Sequence, residues 1–171
     1  DLFGSIVGSV PYFGLLTDEG RKADWIVEVK TSRKPEAQLL GSAIGMKVME
    51  KVPYVIGLDK YFSSLDDDAK AYLKDFGAAT ASNGAVGLYH IENLTPEAVD
   101  LGRALIKENA PTYVIDDEEL DRIEKGYPII WKDKGATPKL AFIGCPHLSR
   151  AQLSSWSKRI HESLKAQGKD K

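Results

Sequence analysis

Short β-branched runs alternate with segments of helical periodicity along this chain, and that alternation restricts the fold more than any other feature. Trp25 to Val29, Tyr54 to Leu58, Val86 to Ile91, Thr112 to Ile115 and Leu140 to Ile143 are apolar stretches bounded by glycine or polar residues, and each reads as a strand. Between them, Ala37, Leu40, Ile44 and Val48 step by three and four, one face of a helix. Gly41 and Gly45 stand four apart on that segment, so a neighbouring backbone can come close there. Ala98, Leu101 and Leu105 repeat the helical spacing, as do Leu153, Trp156, Ile160 and Leu164. A strand–helix alternation of this kind predicts an α/β layered domain with a mainly parallel sheet flanked by helices.

The expected helix starts carry their own chemistry. Thr95-Pro96-Glu97 supplies a cap, a proline at the first helical position and an acid in the first turn. Ser149 and Gln152 have the spacing of a capping box. Asp116 to Glu119, and Ser64 with Asp66, Asp67 and Asp68, put negative charge where a helix N-terminus favours it. Residues 1–171 are read as a single α/β domain, with 1–20 as a loop or edge segment and 165–171 as a polar tail. The opening at Asp1, without a methionine, reads as an internal piece excised from the middle of a longer chain.

Composition narrows the partners. The 171 residues are 43% apolar and 28% charged, with a formal net charge of −2. A near-neutral chain has no electrostatic footprint for nucleic acid. No apolar run approaches the ~20 residues of a membrane span, so no membrane partner is expected. Cys145 is the single cysteine, which excludes an internal disulfide and fits a reducing cytoplasm.

The richest candidate segment is Gly144-Cys145-Pro146-His147-Leu148-Ser149, expected to follow one strand and open the last helix. Ligands in α/β folds gather beyond the carboxyl ends of strands, and a helix N-terminus favours a thiolate through its unpaired N–H groups. A thiolate serves either a metal cluster or nucleophilic chemistry. The alternative is a buried structural cysteine beside a helix cap. A second segment runs from Gly77 to His90. Its small residues allow close backbone approach, and Ser82-Asn83-Gly84 could offer N–H groups in a turn to an anion. His90 could act as acid, base or hydrogen-bond donor, or be a satisfied core histidine.

These segments resemble the aconitase X family of hydro-lyases. Val10-Pro11-Tyr12-Phe13-Gly14-Leu15-Leu16 with Arg21-Lys22-Ala23-Asp24 is similar to the family's loop before its inserted α/β region. Ala81 to His90, followed by Leu94-Thr95-Pro96-Glu97-Ala98, looks like its central signature. Ile143 to Ser149 resembles its Cys-Pro-His-Leu-Ser motif, and the order agrees as well. The resemblance implies an aconitase-like fold and an iron–sulfur cluster, of the 4Fe–4S type, held through three cysteines, of which Cys145 supplies one. It implies Ser82 and His90 as catalytic residues, and Ser82, Asn83, Gly84 and His147 as substrate-binding. It further implies a small subunit, separate or fused, and a phosphorylated or hydroxy-carboxylate substrate. The implied reaction is dehydration of (R)-5-phosphomevalonate to trans-anhydromevalonate 5-phosphate in the archaeal modified mevalonate pathway. One cysteine falls short of a cluster's ligand set, so the isolated chain is expected to be cluster-free and inactive. The alternatives are a cis-3-hydroxy-L-proline dehydratase of the same family, a non-catalytic α/β binding module, and a cysteine hydrolase pairing Cys145 with His90 or His147.

Overall fold

The computed structural model describes residues 2–128, 130, 132–133, 135–136, 140 and 142–169. Its centre is a four-stranded, wholly parallel sheet made of β1 (Trp25–Val29), β2 (Pro53–Ile56), β3 (His90–Ile91) and β4 (Thr112–Ile115). The spatial order is β3-β2-β1-β4. Around it run α1 (Leu2–Val7), α2 (Ala37–Val48), α3 (Asp67–Gly84), α4 (Pro96–Leu101), α5 (Asp117–Gly126) and α6 (Arg150–Ala166). The layered α/β architecture with a parallel sheet is therefore as expected from the alternation. Among the described residues no helix is long and apolar enough to cross a membrane.

The two-residue period of the strands sorts the core. Val27, Val29, Val55, Ile91 and Ile115 share one face and are buried against Leu40, Ile44, Phe76, Leu120 and Ile123 of α2, α3 and α5. The opposite face carries a smaller cluster, with Tyr54 of β2 packed among Val52, Ala98 and Leu105. On β4 this second face stays open, and Val114 is exposed.

The glycines of α2 meet α3, as their spacing suggests. A side chain at Gly41 would press on the Phe76 carbonyl and the Ala79 methyl, and one at Gly84 would run into the Gly45 carbonyl. Small residues from 77 to 84 thus serve helix packing, and the turn expected around Ser82-Asn83-Gly84 is in fact the last turn of an 18-residue helix. That helix begins as its sequence suggests, with the Asp66 carboxylate accepting the Ala69 N–H at 2.8 Å.

Other boundaries shift for local reasons. The run from Val86 shortens to two ladder residues, because Ala85 ends α3 in the left-handed region at φ 60°. Residues 86–89 then climb toward the sheet, and the Tyr89 hydroxyl donates to the Leu73 carbonyl at 2.9 Å. Helix α4 stops at Leu101, and Gly102 at φ 55° starts a 3-10 turn that carries Leu105 into the core. Of the strand expected at 140–143, Ala141 lies outside the described residues, and Leu140, Phe142 and Ile143 are exposed and unpaired in any ladder. The 1–20 segment contains α1 and a 3-10 turn at Gly14–Leu16, with Asp1 outside the described residues. The 165–171 tail is helical through Ala166, with Asp170 and Lys171 outside them.

Candidate functional site

The chain runs outward from β1 to β2 to β3, then returns to add β4 on the other side of β1. The connections leaving β1 and β4 lead to α2 and α5 on one face of the sheet, and a crevice opens between these helices beyond the carboxyl ends of the two strands, the favoured ligand position in open parallel sheets. A cleft of about 1300 Å³ lies there. Ser32, Arg33 and Lys34, just after β1, form one wall, and Asp117 and Asp121, just after β4, form another. The Ser32 N–H spans the gap to the Asp117 carboxylate at 3.1 Å. Helix α3 closes a third side with Asp75, Ala79, Ser82 and Asn83, and Cys145 with Pro146 completes the rim.

The chemistry of the lining is mixed. Asn83 Nδ2 donates to Ser42 Oγ at 3.1 Å and to the Ala79 carbonyl at 3.0 Å, which fixes the amide plane. Ser82 Oγ donates to the same carbonyl at 3.2 Å and stays exposed. Lys34 Nζ sits 4.0 Å above the Phe62 ring and 4.7 Å above that of Tyr72. Partial burial pushes its ammonium below the usual lysine range. Part of the cleft's acidity is already committed, since Glu36 caps α2 by accepting the Leu39 N–H at 2.7 Å and Asp117 holds Ser32.

Cys145 is exposed, and its peptide to Pro146 is cis. It stands four residues ahead of the α6 cap. There the Ser149 hydroxyl and the Gln152 side chain satisfy each other's backbone N–H groups at 3.1 and 2.8 Å. The expectation that Cys145 sits on the helix N-terminus is thereby corrected, because three residues separate it from the cap and the capping box takes the Ser149 and Gln152 N–H groups.

The sequence-predicted site residues divide. Ser82, Asn83 and Cys145 come together at the cleft. Gly84 does not: it is buried against Gly45, and at the C-terminal end of α3 the free backbone groups are carbonyls, which repel an anion. His90 is also elsewhere, 1% exposed inside the sheet. Its Nε2 lies 2.8 Å from the Arg21 carbonyl and its Nδ1 3.7 Å from Glu97. Arg21 in turn grips Glu97 with two hydrogen bonds of 2.5 and 2.7 Å, which hold the Glu97 carboxyl below the usual carboxylate range. His90 thus reads as a satisfied core histidine that ties the 14–22 segment to β3 and α4. The His147 ring is exposed, and the fold uses its backbone carbonyl, which accepts from Lys74 Nζ.

Lys74, Asp75, Arg33 and Lys34 were not anticipated. For Asp75 a signal existed: it stands at helical spacing from Ala78, Ala79 and Ser82 once 77–84 is taken as helix. Among the described residues no group of three or more histidine, cysteine, aspartate or glutamate side chains could hold a metal ion. An exposed thiol at the rim of a roomy cleft fits one ligand position of a cluster, and the described residues supply no second thiolate.

A family model described as the aconitase X second domain matches residues 23–125. The phosphomevalonate dehydratase large subunit of Thermococcus kodakarensis is 34% identical over 170 residues, covering 98% of this chain and 39% of that protein. The cis-3-hydroxy-L-proline dehydratase of Hypocrea jecorina is 30% identical over 159 residues, covering 90% of this chain and 26% of that protein. The crystal structure of Thermococcus kodakaraensis aconitase X in its holo-form superposes with a TM-score of 0.70 at 32% identity, covering 98% of this chain and 39% of that one. The chain thus spans well under half the length of these relatives.

Proposed function

The chain belongs to the aconitase X family, and from that premise we propose that it is part of a dehydratase acting on (R)-5-phosphomevalonate, with an iron–sulfur cluster and a small subunit as its companions. The observation that carries the proposal is the meeting of Cys145 with Ser82 and Asn83 at a cleft beyond the carboxyl ends of β1 and β4. A bound cluster supplies a Lewis-acidic iron that makes a substrate hydroxyl a better leaving group. Cys145 would hold it as one thiolate ligand, the other ligands coming from outside the described residues.

The remaining work falls to side chains of this domain. Ser82 presents a hydroxyl to the cleft, and Asn83, anchored through Ser42, presents an amide of set orientation. Arg33 and Lys34 supply positive charge for a carboxylate or phosphate on the same substrate. His90, sealed in the sheet, acts by holding Arg21 and Glu97 in register. On this reading the 171-residue chain alone, with one cysteine, is inactive and free of cluster.

The hydroxyproline alternative rests on similarity to cis-3-hydroxy-L-proline dehydratases, and one experiment separates the two. The full-length protein, expressed anaerobically with its small subunit, is assayed for water loss from (R)-5-phosphomevalonate and from cis-3-hydroxy-L-proline. Turnover of the phosphorylated substrate supports the proposal; turnover of hydroxyproline alone replaces it. A self-sufficient binding module would keep runs of large apolar side chains out of water. Here Leu2, Phe3, Ile6, Val7, Val10 and Phe13 are all exposed along one short segment. A cysteine hydrolase needs a histidine at the thiol; the His90 ring is committed to the Arg21 carbonyl, and among the described residues no hydrogen bond joins Cys145 to the His147 ring.

A further inference from the structure

We infer that Lys74, Asp75 and Gln152 form a polar clamp that positions Cys145 against α3, an inference that rests on Cys145 being a cluster ligand. The arm from 142 to 169 joins no strand, and α6 buries none of its residues. Its attachment to the domain is polar and concentrated at one point. Lys74 Nζ donates to the His147 carbonyl and, at 3.1 Å, to Gln152 Oε1. Gln152 Nε2 donates to Asp75 Oδ2 at 2.5 Å, while Gln152 Oε1 also accepts the Ser149 N–H at 2.8 Å.

The Gln152 amide is therefore read in both senses. Its oxygen takes two donors and its NH2 group serves a carboxylate; turned over, it would set NH2 against an ammonium and oxygen against oxygen. Only one orientation satisfies the set, so α6 has one register on α3. The grip on His147 falls two residues from Cys145. Asp75 and Ser82 lie seven residues apart on α3, on one face and separated by about 10 Å at the helical rise. The same helix thus fixes the arm at one turn and presents Ser82 two turns on, which sets the thiol's place relative to the cleft. Asp75 Oδ1 is buried without a hydrogen-bond partner, and Asp75 lines that cleft with Cys145.

The test uses the full-length large subunit with its small subunit. Gln152→Ala removes the clamp. Gln152→Glu keeps both acceptor roles but opposes two carboxylates, and adding Asp75→Asn restores the pair with donor and acceptor exchanged. Amide hydrogen exchange over residues 144–153 is followed in the iron-free protein, with exchange in β1 and α2 as the folding control. Bound iron and visible absorbance are then measured after anaerobic reconstitution. Exchange should accelerate about tenfold in Gln152→Glu, which loses one charge-assisted hydrogen bond, and further in Gln152→Ala, which loses two together with the capping bond from the Ser149 N–H, and return toward wild type in the double variant. Bound iron should fall and recover in the same order. Unchanged exchange in Gln152→Ala, or no recovery in the double variant, overturns the clamp. Exchange that follows the pattern while iron stays constant overturns its role in placing Cys145. Wild-type protein that takes up no iron overturns the cluster reading itself, and with it any role of the clamp toward a cluster, whatever exchange shows.

Discussion

In the sheet domain, Val27 and Phe76 are fully enclosed, each fixed by neighbours on β1, α2 and α3. In the arm, α6 is 17 residues long and buries none of them; Leu153, Trp156 and Ile160 are 60%, 39% and 47% exposed. One region is held by apolar burial spread over many side chains, the other by a few polar contacts at its N-terminal end. The first rests on many apolar contacts, whereas the second depends on a handful of polar ones. The division follows the chemistry: the regular part builds the crevice, and the polar attachment delivers the thiol to it.

The sharpest way to break this comparison is to cut into each region in turn. Phe76→Ala should destabilise the sheet domain by about 3–5 kcal/mol, since it empties a fully buried aromatic position between α2 and α3. A denaturant titration followed by far-UV circular dichroism checks it, and a cost under half of that would mean the core is less tightly packed than described. Next comes Gly84→Ala. A methyl there meets the Gly45 carbonyl, and the overpacking should cost about 1–3 kcal/mol by the same titration. No loss would show that α2 and α3 can move apart freely.

A smaller, pH-limited effect lies at the sheet edge. Glu119 accepts hydrogen bonds from Arg122 at 2.6 and 2.7 Å and from the Tyr113 hydroxyl. With the Arg122 guanidinium as the main cause, its carboxyl is held down to about 2. A folded value below the unfolded one, about 4.3 for glutamate, adds stability that is complete above the unfolded value and fades as pH falls toward about 2. The unfolding midpoint of the wild type should therefore decline across that window more steeply than that of Glu119→Gln. Parallel declines would remove Glu119 from the account. The smallest effect belongs to the arm: Leu153→Ala should change stability by under about 0.5 kcal/mol, as expected of an exposed side chain. A large loss would mean that α6 is packed more deeply than its exposure says.

What the sequence disclosed follows the same division. Strands β1 and β4 were legible to the residue, because β-branched residues at alternate positions feed a buried face. The caps of α3, α5 and α6 were legible from their acids and from Ser149 with Gln152. The stretch from Gly77 to Gly84 misled, because small residues suit a tight turn and a close helix contact equally well. The paired spacing of Gly41 with Gly45 was the clue to the second. His90 was open to two readings, since an apolar strand next to a histidine is compatible with a site or with a core. The Arg21 carbonyl that its ring meets lies 69 residues away in sequence, beyond any local pattern. The Lys74–Asp75–Gln152 contact joins two helices across more than seventy residues, and no local pattern announces such a pairing. Cys145 was singled out by its motif, while its placement four residues before the cap was not foreseen.

Everything proposed for this domain turns on Cys145 as a ligand of an iron–sulfur cluster. The most direct measurement is the iron content and visible absorbance of the full-length protein, prepared anaerobically with its small subunit, for wild type and Cys145→Ser. Bound iron with cluster absorbance is expected in the wild type, and the loss of both in the variant. A variant that keeps its iron, or a wild type that binds none, would contradict it.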